Sequence, residues 1–493
     1  MVFGIAGPIG VDVDAIIDTL DQALRRVGYD PRLIHLTREM APYTAEPPAP
    51  DDDFYESSRA RMEQGNRICA ARQDNAALGR IGLKAVRTLR RALTGSEDQA
   101  APGVAYVIRQ FKRPQEVDLF RRVYGRRFVL VSASGGIEPR RALLEDRLRR
   151  SLPPTTPGYE LRRMADVLIE DDASDNRPYG QRLRDTFHRG DVFIDGLNRG
   201  AMAEKLTRFV HAIFGRADIG PSRIEFGMYA AHAASLRSTD LSRQVGAAVF
   251  SEDGDLITQG CNEVPKAFGG AYWDSEDPDF RDVRIGHDPN AAEIREVLRD
   301  LVQRLQDAEM LSPKALGMGT PSDVVRTLTD PGGILADASV LDLTEYGRVV
   351  HAEMAAICDA ARLGRSVRGG VLFCTTFPCH NCTKHILAAG IRRVIYIEPY
   401  PKSRAKSLHA NEIEVDGESG TRVVFAPFMG ISPVRYRDIF QKGRRKQADG
   451  RARQWYPGDT PRPMIESEFP AYLPIERHEV QSLADVRDPC GDH

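Results

Sequence analysis

At roughly 150 residues per domain, the 493 residues of this chain suggest about three domains or two large ones. The chain is 42% hydrophobic and 28% charged, enough to bury a sizeable core, and 68 Lys plus Arg against 70 Asp plus Glu leave a net charge of −2. This excludes a large nonspecific nucleic-acid binder, which needs a clear basic excess, and no stretch approaches the roughly 18 consecutive apolar residues of a membrane span.

The opening MVFGIAGPIGVDVDA has no basic start and soon acquires Asp, so no signal peptide is expected. Seven sparse cysteines, three of them crowded as Cys374, Cys379 and Cys382, point to a metal site in a reducing compartment rather than a disulfide framework. A soluble cytoplasmic protein is expected.

VFGIAG at 2–7 predicts a buried strand and a turn, followed by a helix ending at Gly28. RLIHL at 32–36 and VAYVIRQF at 104–111 are further strands. Between them, residues 41–100 are mostly polar and helical, with an acidic Pro-rich start (AEPPAPDDDF). A helix from Pro114 to Gly125, the strand RFVLVSAS at 127–134 and a helix from Pro139 to about Arg150 come next. ADVLIED, the helix YGQRLRDTFHRG and VFIDG at 192–196 complete the series. Wholly apolar strands alternating with helices predict an α/β domain over 1–215, a parallel sheet with helices on both faces.

RADIGPS at 216–222 marks a boundary, and 216–493 reads as a second domain. It opens with a helix through MYAAHAASLRS, then VGAAVF and DLITQG, joined at Asp253-Gly254 as a hairpin. An insertion over 268–345 carries the helical run AAEIREVLRDLVQRLQDAEM. A helix from about His351, the strand VLFCTT, a helix from Cys379 to about Ala389 and the strand RVIYI follow. The last 45 or so residues form a polar, irregular tail.

The sharpest features are His351-Ala352-Glu353 and Pro378-Cys379-His380-Asn381-Cys382. One imidazole and two thiolates supply three ligands of a tetrahedral Zn2+ and leave a position for water, which a catalytic zinc needs. Both groups begin helices, where the partial positive charge favours thiolate. Glu353 is placed to take a proton from zinc-bound water. H-x-E…P-C-x-x-C is the signature of zinc deaminases, in which the attack falls on carbon 4 of cytosine and the Glu protonates ring nitrogen 3 and the departing amine. A closed structural zinc site, with Cys374 or His380 as fourth ligand, is the other reading of the same residues.

From about Ser235 to Ser403 the chain resembles the cytidine and deoxycytidylate deaminase superfamily. RSTDLSRQVGAAVFSEDGDLITQGCNEVP looks like the deoxycytidylate branch, and the resemblance gives Asn262 a contact to the sugar. GRVVHAEMAAI and FCTTFPCHNCTKHILAAGIRRVIYIEPYPKS are similar to bacterial anti-phage deoxycytidylate deaminases, which join this domain to a kinase-like N-terminal one. The resemblance implies deamination of dCTP and dCMP, defence against phage by depleting dCTP, and a homo-oligomer. Two departures stand out. Ala355 replaces the Asn common two residues after the catalytic Glu, and the insertion is long. Motif position makes Arg237, Arg243, Lys266 and Lys402 candidate phosphate or base contacts.

GIAGPIGVDVDA follows a strand and opens a helix, the setting of a phosphate-binding loop, and Gly7 and Gly10 fit the pattern of nucleotide kinases. Asp12, Val13 and Asp14 stand where the third Gly, the Lys and the Ser or Thr belong. The domain resembles deoxynucleoside and nucleotide kinases, but this P-loop is degenerate and kinase activity is not expected; a regulatory, sensing or assembly role is. The basic run GRRKQADGRARQW at 443–455 is a solvated loop or a contact for nucleotide phosphates or RNA. Cys69 and Cys490 are ordinary thiols. A toxic nucleotide-consuming activity needs restraint, from the N-terminal domain or from a nucleotide, protein or RNA regulator. Two other functions fit the residues: a deaminase acting on a base in single-stranded nucleic acid, and a nucleotide-binding sensor with a structural zinc site.

Overall fold

The computed structural model describes residues 1–44, 53–175, 177–400, 402–453, 455, 461–464 and 471–484. The Pro-rich stretch over 45–52 and Cys490 lie outside the described residues. The chain divides into two compact units. One comprises Met1–Tyr229, Ile397–Pro399 and everything from Pro427 on; the other comprises Ala230–Tyr396 and Tyr400–Ala426.

The strands of the first unit are β1 (Val2–Ala6), β2 (Asp30–His35), β3 (Val104–Arg109), β4 (Phe128–Ser134) and β5 (Val192–Asp195). They pair in parallel in the order β5-β4-β1-β3-β2. Their side chains alternate between two cores. Phe3, Ile5, Val129 and Val131 pack with Leu20 and Leu24 of helix Val13–Arg26 and with Phe209 of helix Arg199–Ile213. Val2, Ile108, Phe128 and Leu130 pack on the other face with Val86 of helix Ala77–Thr94 and Phe120 of helix Pro114–Tyr124. Burial on both faces is why these strands are apolar throughout.

The second unit holds β6 (Gly246–Phe250), β7 (Leu256–Cys261), β8 (Val371–Thr376), β9 (Arg393–Glu398), β10 (Ile413–Val415) and β11 (Val423–Pro427), in the order β10-β11-β9-β8-β6-β7. β6 runs antiparallel to both β7 and β8, while β10 and β11 are parallel, so the sheet is mixed. The hairpin turns where expected, with Gly254 at φ +97°.

Three expectations need correcting. ADVLIED is no strand but part of helix Gly158–Ala173, whose buried residues Leu161, Ala165, Leu168 and Asp172 recur at helical spacing. Of YGQRLRDTFHRG only Leu183–Phe187 is helical. A single domain over 216–493 does not hold either, because the described residues from Pro427 on group with the first unit. There β12 (Gly430–Ile431) adds an antiparallel edge to β5, and helix Tyr472–Ala484 is no irregular tail. Its Glu476, fully buried, accepts from Arg90 Nη1 and Nη2 at 2.5 and 2.6 Å and from the Tyr124 hydroxyl at 2.5 Å. Glu479 pairs with Arg122 at 2.7 Å and with Arg80.

Glu225 anchors β12. It accepts from Arg208 at 2.7 and 2.8 Å, from the Ser222 N–H at 2.7 Å and from the Ile431 N–H at 2.9 Å. Burial alone would raise its carboxyl, but these donors hold it below the ordinary value. A depressed carboxylate contributes stability that is present above its unfolded pKa and lost as pH falls through the folded one. Thermal unfolding of Glu225→Gln is therefore expected to depend less on pH than the wild type between about pH 5 and pH 3. Parallel curves would contradict this anchor.

Candidate active site

His351 caps helix Ala352–Arg362 and Cys379 caps helix His380–Ala388, its sulfur accepting the Cys382 N–H at 3.4 Å. The two helices bring three donors together: His351 Nδ1 lies 3.4 Å from Cys379 Sγ and 3.3 Å from Cys382 Sγ. All three ligand atoms fall within 4.8 Å of one another. Zinc bonds of about 2.0–2.1 Å to nitrogen and 2.3 Å to sulfur, at tetrahedral angles, put N and S about 3.6 Å apart, so this donor set fits the ion. Among the described residues neither Cys374 nor His380 joins the group, so there is no fourth protein ligand of the kind a closed site requires.

Electrostatics suit a cation. The hydrogen bond from Cys382, together with facing His351, pulls the Cys379 thiol down to about 4. Sharing that hydrogen bond, and burial, push Cys382 well up. The hydrogen bond with Cys379 raises His351. Glu353, 4% exposed, is outside the ligand trio, and burial pushes its carboxyl above the usual range. The buried thiol of Cys374 interacts with it from β8.

Residues outside the motif hold this helix in place. A Cβ on Gly260 would lie 2.6 Å from both Ala352 O and Ala356 N and 2.9 Å from the Ala355 methyl, so only glycine lets the helix start so close to β7. Thr258 Oγ1 donates to Ala356 O at 2.9 Å, and the Glu263–Val350 bridge fixes the chain one residue before His351. Gly260, a glycine inside a strand, was the available signal in the sequence.

Residues 221–398 match the family model of the cytidine and deoxycytidylate deaminase zinc-binding region. The matched region is thus similar to a zinc-binding deaminase region, and His351, Cys379 and Cys382 within it could hold that metal. The deoxycytidylate deaminase of Enterobacteria phage T2 is 42% identical over 55 residues, 11% of this chain and 29% of that protein. ComE operon protein 2 of Bacillus subtilis (strain 168) is 38% identical over 71 residues, 14% of this chain and 38% of that protein. The chain thus spans between about three tenths and two fifths of these relatives' lengths. The apo dCMP deaminase of the cyanophage S-TIM5 aligns over 42% of this chain and 99% of its own, at 19% identity and a TM-score of 0.22.

The remaining candidates divide around the three-donor group. Asn262 is buried and uses both ends of its amide on backbone: Oδ1 accepts the Val245 N–H at 2.7 Å and Nδ2 donates to Arg243 O at 2.8 Å. Arg243 donates to Thr376 Oγ1 at 3.0 Å and lies 5.8 Å over the Tyr400 ring, at the end of β8 that leads to Cys379. The other three are taken up by the insertion and its approach. Arg237 stacks 3.7 Å over Trp273, Lys266 pairs with Glu276 at 2.5 Å, and Lys402 pairs with Asp342 at 2.6 Å. The insertion has its own small core of Ile294, Leu298 and Val325.

In the first unit the loop after β1 is tied up internally. Asp172, 1% exposed, accepts the Ile9 N–H at 2.7 Å, and Lys112 Nζ bridges Asp172 at 2.6 Å and Gly7 O at 2.7 Å. Gly10, at φ +94°, lies against the backbone of Arg140, and the Asp12 N–H donates to Gly196 O at 2.9 Å. A buried carboxylate thus takes a backbone N–H that a phosphate-binding loop would offer its ligand. Cys69 is buried, its thiol pushed up to about 11 by burial, as suits an inert thiol. The basic run is solvent-exposed over 443–453.

Proposed function

We propose that the chain is a zinc-dependent hydrolytic deaminase of free deoxycytidine nucleotides, dCTP or dCMP, that serves antiviral defence by depleting dCTP. The observation that carries it is a buried carboxylate, Glu353, beside a three-donor metal group that has no fourth protein ligand among the described residues. His351, Cys379 and Cys382 would hold the zinc, which when bound lowers the pKa of a water and makes it a nucleophile near neutral pH. Glu353 would take one proton from the attacking water and deliver it to ring nitrogen 3, then take the second proton, from the hydroxyl now on carbon 4, and deliver it to the amine as the carbon–nitrogen bond breaks and the carbonyl forms. Its burial favours the protonated form and so suits a group that must return the proton. In this reading Asn262, its amide fixed on the backbone of Val245 and Arg243, would contact the sugar, and Arg243, at the end of β8 that leads to Cys379, would contact phosphate.

The first unit, in this reading, keeps a nucleotide-kinase-like fold, with β1 central and a closed, degenerate loop, and acts in regulation, sensing or assembly. A homo-oligomer fits the apolar side chains that the insertion exposes, among them Leu301, Met310 and Ile334.

The test is product formation by the purified full chain from dCTP, dCMP, CTP, deoxycytidine and a cytosine-containing single strand. Conversion of dCTP or dCMP ahead of the others is expected. Conversion of the strand alone would make the protein a nucleic-acid editor.

A further inference from the structure

Between helices Val13–Arg26 and Arg199–Ile213 the first unit holds a cavity of about 550 Å³, a volume in the range of small-molecule sites. It is not the closed loop after β1. That loop leads into the start of helix Val13–Arg26, whereas the cavity reaches its last residue, about 20 Å further on at 1.5 Å per residue.

The wall of the cavity is cationic. Arg26, Arg208, His211 and Arg216 line it against a single carboxylate, Glu204. Arg208 is held by the buried Glu225 at 2.7 and 2.8 Å. Arg216 pairs at 2.8 Å with Asp218 at the surface, and an exposed pair of this kind is weak enough to yield its guanidinium to a stronger anion. Arg26 is exposed and makes no hydrogen bond or ion pair among the described residues.

The geometry also fixes a neutral donor. Arg216 Nη1 lies 3.2 Å from His211 Nδ1, and a guanidinium only donates, so Nδ1 accepts and the ring proton sits on Nε2. Burial, with Arg216 and Arg26 beside the ring, holds His211 below its ordinary value, in keeping with that neutral tautomer. Trp455 holds the ring in place, 4.9 Å away between centroids, its own Nε1 donating to Phe214 O at 3.1 Å. Further cations stand behind this wall. Lys442 Nζ donates to Arg216 O at 3.0 Å, and burial together with Arg445 pushes that amine down. Two separate segments thus place cations side by side with too few carboxylates to balance them.

We propose that this cavity binds a phosphorylated small molecule of up to nucleotide size, its phosphate held by Arg26, Arg216 and the Nε2–H of His211. Binding here does not depend on the chemistry proposed for the second unit.

Isothermal titration calorimetry on the full chain tests it with pyrophosphate, ATP, adenosine and single-stranded oligo(dA), none of which carries cytosine. One pyrophosphate or ATP per chain is expected to bind, with adenosine at least about tenfold weaker. Arg26→Ala with Arg216→Ala is expected to weaken the phosphate compound about tenfold or more, the scale of one hydrogen bond to a charged group. Arg26→Ala alone, which removes an exposed side chain that holds nothing in the fold, is expected to weaken it as well. Arg243→Ala, in the second unit, should leave the affinity unchanged. No binding of either phosphate compound up to about 1 mM, full affinity in either arginine variant, loss of affinity in Arg243→Ala, or adenosine binding as tightly as ATP would each overturn the proposal. Tighter binding of oligo(dA), lost in the same double variant, would overturn it too and make this face a nucleic-acid surface.

Discussion

Glu353→Ala is expected to keep one zinc per chain and to lose turnover by about 10²–10⁴-fold, the range that general acid–base catalysis contributes. The two halves of this expectation rest on different observations. The metal stays because Glu353 is outside the trio of His351, Cys379 and Cys382. The rate falls because no other carboxylate is seated at the start of helix Ala352–Arg362, where Glu353 is the one acidic residue of the first turn. Metal analysis and steady-state kinetics on one preparation read both. Wild-type turnover in the variant would refute the role given to Glu353, and loss of zinc would mean that Glu353 helps to build the site.

The second large effect concerns stability. Arg90→Ala is expected to destabilise the first unit by about 3–5 kcal/mol, because it strands the fully buried carboxylate of Glu476. Removing both charges in Arg90→Met with Glu476→Leu should recover most of the loss, since an apolar pair of similar volume often matches a buried ion pair. Urea unfolding of the full chain, followed by a probe in the first unit, measures it. A loss under about 1 kcal/mol in the single variant would mean that water reaches the pair.

That ion pair also shows what the sequence withholds. Helix Tyr472–Ala484 buries Leu473, Glu476, Glu479 and Leu483, so half of its inward face is carboxylate. Read by hydropathy it looks like a solvated tail, because the arginines that neutralise it lie in helices hundreds of residues earlier. Short apolar runs mislead in the opposite direction. ADVLIED is apolar enough for a buried strand, and only the wider spacing of Leu161, Ala165, Leu168 and Asp172 marks it as helix.

The metal group was legible for the opposite reason. His351 and Glu353, and Cys379 and Cys382, are near neighbours whose spacing and helix-start setting carry the chemistry locally. Arg237, Lys266 and Lys402 could not be judged in the same way, since the Trp273 ring, Glu276 and Asp342 that engage them belong to the insertion. Gly260 was visible as a glycine in a strand, but its purpose depends on which helix packs there.

The proposed activity is zinc-dependent deamination. The measurement that tests it most directly is uracil-nucleotide and ammonia release from dCMP and dCTP by the full chain, before and after removal of zinc by a chelator and after zinc is restored. Turnover with one zinc per chain, loss on stripping and recovery on reloading are expected. Zinc-replete protein that converts neither nucleotide, or stripped protein that converts them as fast, would contradict it.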